Sequence, residues 1–247
     1  MKKILITILT VSLLLSMVSC GSAAAFKISK EAYNNINTAY EKVNEFSQDI
    51  YEAWYMGINK KEDINGSQKS SYGYITTYNE KEELENFADE LHIPQEDLER
   101  AVAKLLGKDA YNPGTSSEAG DWYFLSNKLN DSFFSACVTL VSTAYEENGT
   151  ADEITALLEE ARGQMKKLSD SYSDYEHYPN LKEYFTTTTA FFDFCLNPEG
   201  SFEQVVETFN NYRNDARNYY FDLNYVFEEE LFSKDDEEEE TTTEGEI

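Results

Sequence analysis

The sequence predicts an all-α fold: an antiparallel helical bundle or array of about six to seven helices, closed by a disordered acidic C-terminal tail. Three observations carry that expectation. Apolar residues recur every three or four places through most of the 247 residues, which is the spacing of one helix face. Capping-box patterns mark helix starts at Asn79-x-x-Glu82, Thr150-x-x-Glu153 and Ser201-x-x-Gln204. Sustained strand alternation is absent, so each amphipathic stripe needs another helix to cover it.

The first helix of the folded region is expected from Ser29 to Ile58, with Tyr33, Ile36, Tyr40, Val43, Phe46, Ile50, Trp54 and Ile58 on one face and Asn, Glu, Lys, Gln and Asp between them. It should end at Gly57 or shortly after, leaving residues 59–74 as a polar Gly/Asn/Ser loop. Leu84, Phe87, Ala88 and Leu91 give the next stripe. Pro94 suits the first turn of a helix that carries Leu98, Val102, Leu105 and Leu106 and stops at Gly107. After the turn-rich break 111–120, four helices are expected: about Asp121–Glu147, Thr150–Tyr175, Pro179–Leu196 and Ser201–Phe232. Four prolines and 11 glycines, with no Pro-rich linker, favour a single helical domain over residues 28–234. The tail 235–247 holds eight acids and no base, and no apolar residue before Ile247, so it is expected to stay disordered. A faint echo links Phe133-Phe134-x-x-Cys137 to Phe191-Phe192-x-x-Cys195, each followed by a glycine before a helix start, at Gly149 and Gly200. No fixed repeat period accompanies it.

At the N-terminus, Lys2 and Lys3 precede the apolar run Ile4–Val18 and then small residues, which is the order of a secretory signal. The run is shorter than the roughly 20 residues that span a bilayer core. Ala23–Ala25 offers an ordinary cleavage site, but Met17-Val18-Ser19-Cys20 resembles the lipobox of bacterial lipoproteins, with methionine where leucine is usual. That resemblance implies removal of residues 1–19, lipid attachment at Cys20 and an extracytoplasmic chain held at the bacterial cell membrane. Residues 20–27 would then form the lipidated cysteine and a short spacer. Several acyl chains are needed for a stable anchor, because each buried methylene contributes only about 0.8 kcal/mol.

Removal of residues 1–19 would leave 18 basic against 47 acidic residues, a net charge of −29. Such a field repels nucleic-acid phosphates and anionic wall polymers, and leaves a cationic partner, an envelope protein or a neutral glycan as the compatible classes. Phe87 to Leu98 has the outline of a helix-turn-helix elbow, but its second helix opens with Gln95, Glu96 and Asp97, the wrong charge for a DNA groove; an αα corner is expected. Export would permit a disulfide between Cys137 and Cys195, although both sit in apolar helical stretches where buried thiols act as small hydrophobes.

No pattern singles out a reaction. HExxH, GxSxG, SxxK and phosphate-cradling glycine loops are missing, and histidine is limited to His92 and His177. Asp174-Tyr175-Glu176-His177 at the expected end of a helix suits a cation at the negative helix terminus. Asp63, Asn65 and Gly66 match inner positions of a calcium loop, but Lys61 and Tyr72 stand where its strongest carboxylate ligands belong. No cofactor or metal is expected. What remains is aromatic surface: Trp54-Tyr55 and Trp122-Tyr123, near helix ends, offer flat apolar area with a polar edge. The expectation is a non-enzymatic, membrane-anchored helical binding domain. The competing expectation is an envelope enzyme or glycan-recognition protein with a carboxylate and aromatic cleft.

Overall fold

The computed structural model describes the backbone of residues 2–67, 88–107, 109 and 133–239, and side chains within 23–55, 88–107, 109 and 137–227. The fold is an antiparallel, all-α bundle. Among the described residues it comprises α1 (Lys2–Ser67), α2 (Gln95–Leu106), α3 (Phe133–Glu147), α4 (Thr150–Ser171), α5 (Tyr178–Leu196) and α6 (Phe202–Glu239). The stripe at Leu84 and the start of the helix expected at Asp121, with Trp122 and Tyr123, lie outside the described residues.

The chain divides into two compact units, each assembled from separated stretches, so neither is a continuous segment of the expected domain 28–234. The first takes Met1–Tyr40, Ala156–Ala190 and Asn211–Ile247; the second takes Glu41–Thr155 and Phe191–Asn210.

Along α1 the deepest row is Ala25, Ser29, Ala32, Ile36 and Ala39 in the first unit and Val43, Phe46, Ile50 and Ala53 in the second. All nine are buried, and successive members are spaced alternately four and three apart. Tyr33, Tyr40 and Trp54 flank this seam, in which alanine and serine stand among larger apolar residues. The helix starts well before Ser29. Residues 20–27, expected to be a spacer, are helical; Ala25 is buried and Phe26 packs on Phe227 with ring centroids 5.5 Å apart. It also continues through Gly57 to Ser67, where a loop was expected, because no proline interrupts it and Lys60, Lys61 and Glu62 are good helix formers. Asp63, Asn65 and Gly66 are therefore helical and form no calcium loop.

The first unit packs α1, α4, α5 and α6 around Tyr33, Ile36, Met165, Leu168, Leu181, Tyr184, Leu223 and Phe227. Its α1 and α6 run antiparallel: Lys30 Nζ donates to the Phe227 carbonyl at 3.4 Å, and three residues further along α1 the Tyr33 hydroxyl donates to Asn224 Oδ1 at 2.9 Å. The Tyr184 hydroxyl donates to Asn37 Oδ1 at 3.0 Å. In both Tyr33 and Tyr184 the ring fills the core and the hydroxyl has a partner.

In the second unit α2 packs on α3. Leu98, Ala101 and Val102 are fully buried, and α2 ends where expected, with Gly107 in the left-handed conformation and its N–H donating to the Lys104 carbonyl at 3.0 Å. Phe46 stacks on Tyr145 at 4.1 Å. Cys137 and Cys195 are both buried in the apolar stretches expected of them. The Cys195 carbonyl accepts from Ser142 Oγ at 3.5 Å.

The helix starts are met unequally. At Ser201 the capping box closes both ways, with the Ser201 N–H on Gln204 Oε1 at 2.9 Å and the Gln204 N–H on Ser201 Oγ at 3.4 Å. At Thr150 the carboxamide of Asn148 takes the Thr150 N–H at 3.0 Å and the Gly149 carbonyl takes the Glu153 N–H, while the Glu153 side chain turns instead to Lys42, 2.9 Å away. Helix α4 ends at Ser171, not Tyr175, so His177 stands just before α5 and not in a last turn. Helix α6 extends to Glu239, five residues into the expected disordered tail, since nothing from Phe202 onward breaks it; residues 240–247 lie outside the described residues.

Helix α5 carries four consecutive threonines. Thr186 and Thr189 donate to carbonyls one turn back, at 2.8 Å each. Thr188 is fully buried, and among the described residues its hydroxyl has no partner. An unpaired buried hydroxyl costs about 1–3 kcal/mol, so Thr188→Val, equal in shape and free of that group, is expected to raise the thermal midpoint by a few degrees. A lowered midpoint would show that the hydroxyl is bonded.

Candidate functional site

Two polar constructions stand out in the second unit. The first begins at Asp49, one of the polar residues expected to lie outside the α1 stripe; it is fully buried instead. Its Oδ1 accepts from the backbone N–H of His92 at 3.1 Å and faces His92 Nδ1 at 2.8 Å; its Oδ2 accepts from the Tyr145 hydroxyl at 2.9 Å. A carboxylate offers only lone pairs, so Nδ1 carries the hydrogen and Nε2 faces away. The elbow expected as an αα corner supplies the histidine: Ala88–Glu90 is helical, Leu91 and Ile93 are buried, and His92 between them is presented to α1.

Charge and burial act differently on the two partners. The hydrogen bond to Asp49, then the Asp49 charge, with Glu45 adding to it, raise the His92 pKa above its ordinary value against a smaller opposing effect of burial. Burial, reinforced by the negative charge of Asp49, holds the Tyr145 hydroxyl protonated far above the normal tyrosine range. The trio is thus a buried carboxylate that ties the elbow and α3 to α1.

The second construction is a cleft of about 390 Å³. Trp54 of α1 forms part of its wall, α3 contributes Val138, Thr139, Ser142, Thr143 and Glu146, and the end of α5 with the following turn contributes Leu196 to Glu199. Trp54 is itself largely buried, held against Phe202 with centroids 5.8 Å apart, so only a small part of its surface is open. Tyr55, its neighbour in sequence, is 48 % exposed and stacks on Tyr51; it does not line the cleft. Of the aromatic residues singled out from the sequence, the structure therefore places Trp54 at a cavity and Tyr55 on the surface.

Two hydroxyls of the cleft, those of Ser142 and Thr143, are already donors elsewhere. Thr143 Oγ1 gives its hydrogen to the Thr139 carbonyl at 2.8 Å, and Ser142 Oγ gives its own to the Cys195 carbonyl at the long limit of 3.5 Å. What they present to the cavity is lone pairs. Glu146 lies 3.4 Å from Lys104 Nζ, which also holds Glu147 at 2.6 Å. The Lys104 pKa is raised, first by its hydrogen bond to Glu147. Sequence reasoning missed these residues because α3 reads as a plain apolar stretch, and only the fold brings its Thr and Ser positions opposite Trp54.

Among the described residues no cluster of histidine, cysteine and carboxylate side chains has the spacing of a metal site, and no helix is long and apolar enough to cross a membrane. No protein-family model, curated protein or solved structure matches this chain.

The Asp49 trio makes a signed prediction. Because the folded state favours protonated His92, its charge-dependent contribution is fully present below the unfolded value of 6.5 and is lost as pH rises through the raised folded value. The stability difference between the native chain and His92→Gln, from urea midpoints between about pH 5 and 9, should shrink as pH rises; a difference that grows would contradict the pairing. Asp49→Ala, which removes the acceptor of Tyr145, should cost about 1–3 kcal/mol in the same assay.

Proposed function

We propose that this chain is a lipid-anchored, extracytoplasmic binding protein, held through Cys20 at a bacterial cell membrane, whose second unit offers the Trp54 cleft to a ligand outside the cell. The observation that carries the binding part is the cleft: the Trp54 side chain, aliphatic walls from Val138 and Leu196, and hydroxyl and carboxylate groups line a cavity of small-ligand size. The anchoring part rests on the Met17–Cys20 motif at the foot of the Ile4–Val18 run.

Recognition is favoured over catalysis by the placement of the acids. A carboxyl that works as an acid or base is generally one whose proton affinity is displaced by burial, and Glu146 and Glu199 are both exposed. The runner-up is a glycan-recognition or glycan-cleaving envelope protein. Its specific support is that Asn197 and Trp54 line the same cleft, since an amide and an aromatic ring are groups with which sugars are commonly held.

Two measurements test the proposal. Cys20→Ala should abolish incorporation of labelled fatty acid and leave the precursor uncleaved or release the protein; unchanged labelling would refute the anchor. In the intact chain, amide resonances of Thr139–Glu146 should respond to a bound ligand, and the response should diminish in Trp54→Phe, a substitution small enough to keep the packing on Phe202. A ligand that binds with these resonances unmoved would place recognition elsewhere.

A further inference from the structure

Resting on the reading of the cleft as a binding site, we propose that its ligand is an aliphatic primary ammonium, of the kind borne by a lysine side chain or a polyamine, and that Lys104 is a resident competitor for it. Three observations converge. First, the polar lining consists mostly of acceptors. Ser142 and Thr143 have donated to the Cys195 and Thr139 carbonyls, and Glu146 and Glu199 accept only, which leaves the Thr139 hydroxyl and the Asn197 amide as the side-chain groups able to donate. An ammonium brings three donors and no acceptor, and so matches this lining. A sugar hydroxyl brings both, and its lone pairs would be poorly served.

Second, the walls between those acceptors are apolar. Val138, Leu196 and Pro198 offer surface for a methylene stem, and Trp54 adds to it. A compact inorganic cation would leave that surface unused. Third, the structure already shows an ammonium at the rim. Lys104 Nζ sits 2.6 Å from Glu147 and 3.4 Å from Glu146, so its firmer hold is on Glu147, while Glu146 is the acid that lines the cleft. An incoming ammonium would take Glu146 and leave Lys104 with Glu147. The net charge of −27 adds a long-range pull toward cations.

The competition gives the proposal a gain-of-affinity test that a misfolded variant cannot imitate. The full chain in zwitterionic detergent micelles would be titrated calorimetrically with spermidine, with an amidated N-acetyl trilysine peptide, and with the trisaccharide of N-acetylglucosamine. Lys104→Met should tighten cation binding about two- to fivefold at low salt, the range of an exposed ion pair, and the gain should fade above about 0.15 M salt. Lys166→Met changes net charge equally at an exposed lysine that does not line the cleft, and should give a smaller gain. Glu146→Gln should weaken binding by a similar factor. Whichever cation binds more tightly identifies the source of the ammonium. Failure of both cations to bind, or equal effects of Lys104→Met and Lys166→Met, overturns the inference. A trisaccharide signal that moves the Thr139–Glu146 amides while the cations give none also overturns it, and leaves the cleft standing as a binding site.

Discussion

The row of small and branched residues on one side of α1 is the constraint from which the rest follows. Ala25, Ser29, Ala32, Ile36, Ala39, Val43, Phe46, Ile50 and Ala53 keep an alternation of four and three residues, so one narrow face must be covered along the described length of the helix. A straight α-helix drifts about 20° per heptad relative to such a row, and partners that follow it are held at close range by its alanines. Once that face is assigned, the flanking positions have no freedom. Tyr33 is turned toward α6, where Asn224 takes its hydroxyl, and Asp49 is turned inward toward Tyr145 and the His92 elbow. The buried carboxylate is a consequence of the seam, and its three hydrogen bonds are what make that burial tolerable.

Much of this was legible in the sequence. Helix class, the antiparallel bundle, the start of α2 after Pro94, its stop at Gly107 and the box at Ser201 all follow from period and capping chemistry that act within one turn of chain. The face of α1 was read from Tyr33, Ile36, Val43, Phe46, Ile50 and Trp54, all of them buried, but the alanines of its deepest row were passed over, because aromatic residues outweigh alanine in any apolar count. Asp49 was invisible for a related reason. A lone acid in a stripe of Asn, Glu and Gln looks solvated until a histidine 43 residues away is brought to it. The cleft was half visible: Trp54 stood out, whereas Thr139, Ser142 and Thr143 acquire meaning only through the carbonyls to which they donate. Glycine misled at residues 57 and 66, where helix propensity lowered by about 1 kcal/mol did not end α1.

Cations in so acidic a protein are placed where they neutralise particular groups. Lys42 meets Glu153, Arg100 meets Asp97, Lys30 caps the Phe227 carbonyl, and Arg162 and Arg217 lie over the rings of Phe185 and Phe221. Each such contact is worth little alone when exposed, but together they relieve the self-repulsion that a charge of −27 imposes on a compact chain. The apolar seam of α1 does not depend on ionic strength, whereas these contacts do. Stability and surface charge are thereby separated: the core holds the fold while the surface stays strongly negative.

That separation bears on recognition. A uniform negative field attracts every cation and distinguishes none, since its strength varies slowly over the surface and is screened within about 8–10 Å at physiological salt. Discrimination requires a place where charge meets shape, and on the proposed reading the Trp54 cleft would supply it, with acceptors on α3 and aliphatic walls between them. Lys104 sharpens the distinction. An ion that merely condenses on the surface has no reason to displace it, whereas on the proposed reading a ligand that fills the cleft would contend with it for Glu146. The field would then set how often cations arrive, and the cleft which of them stay.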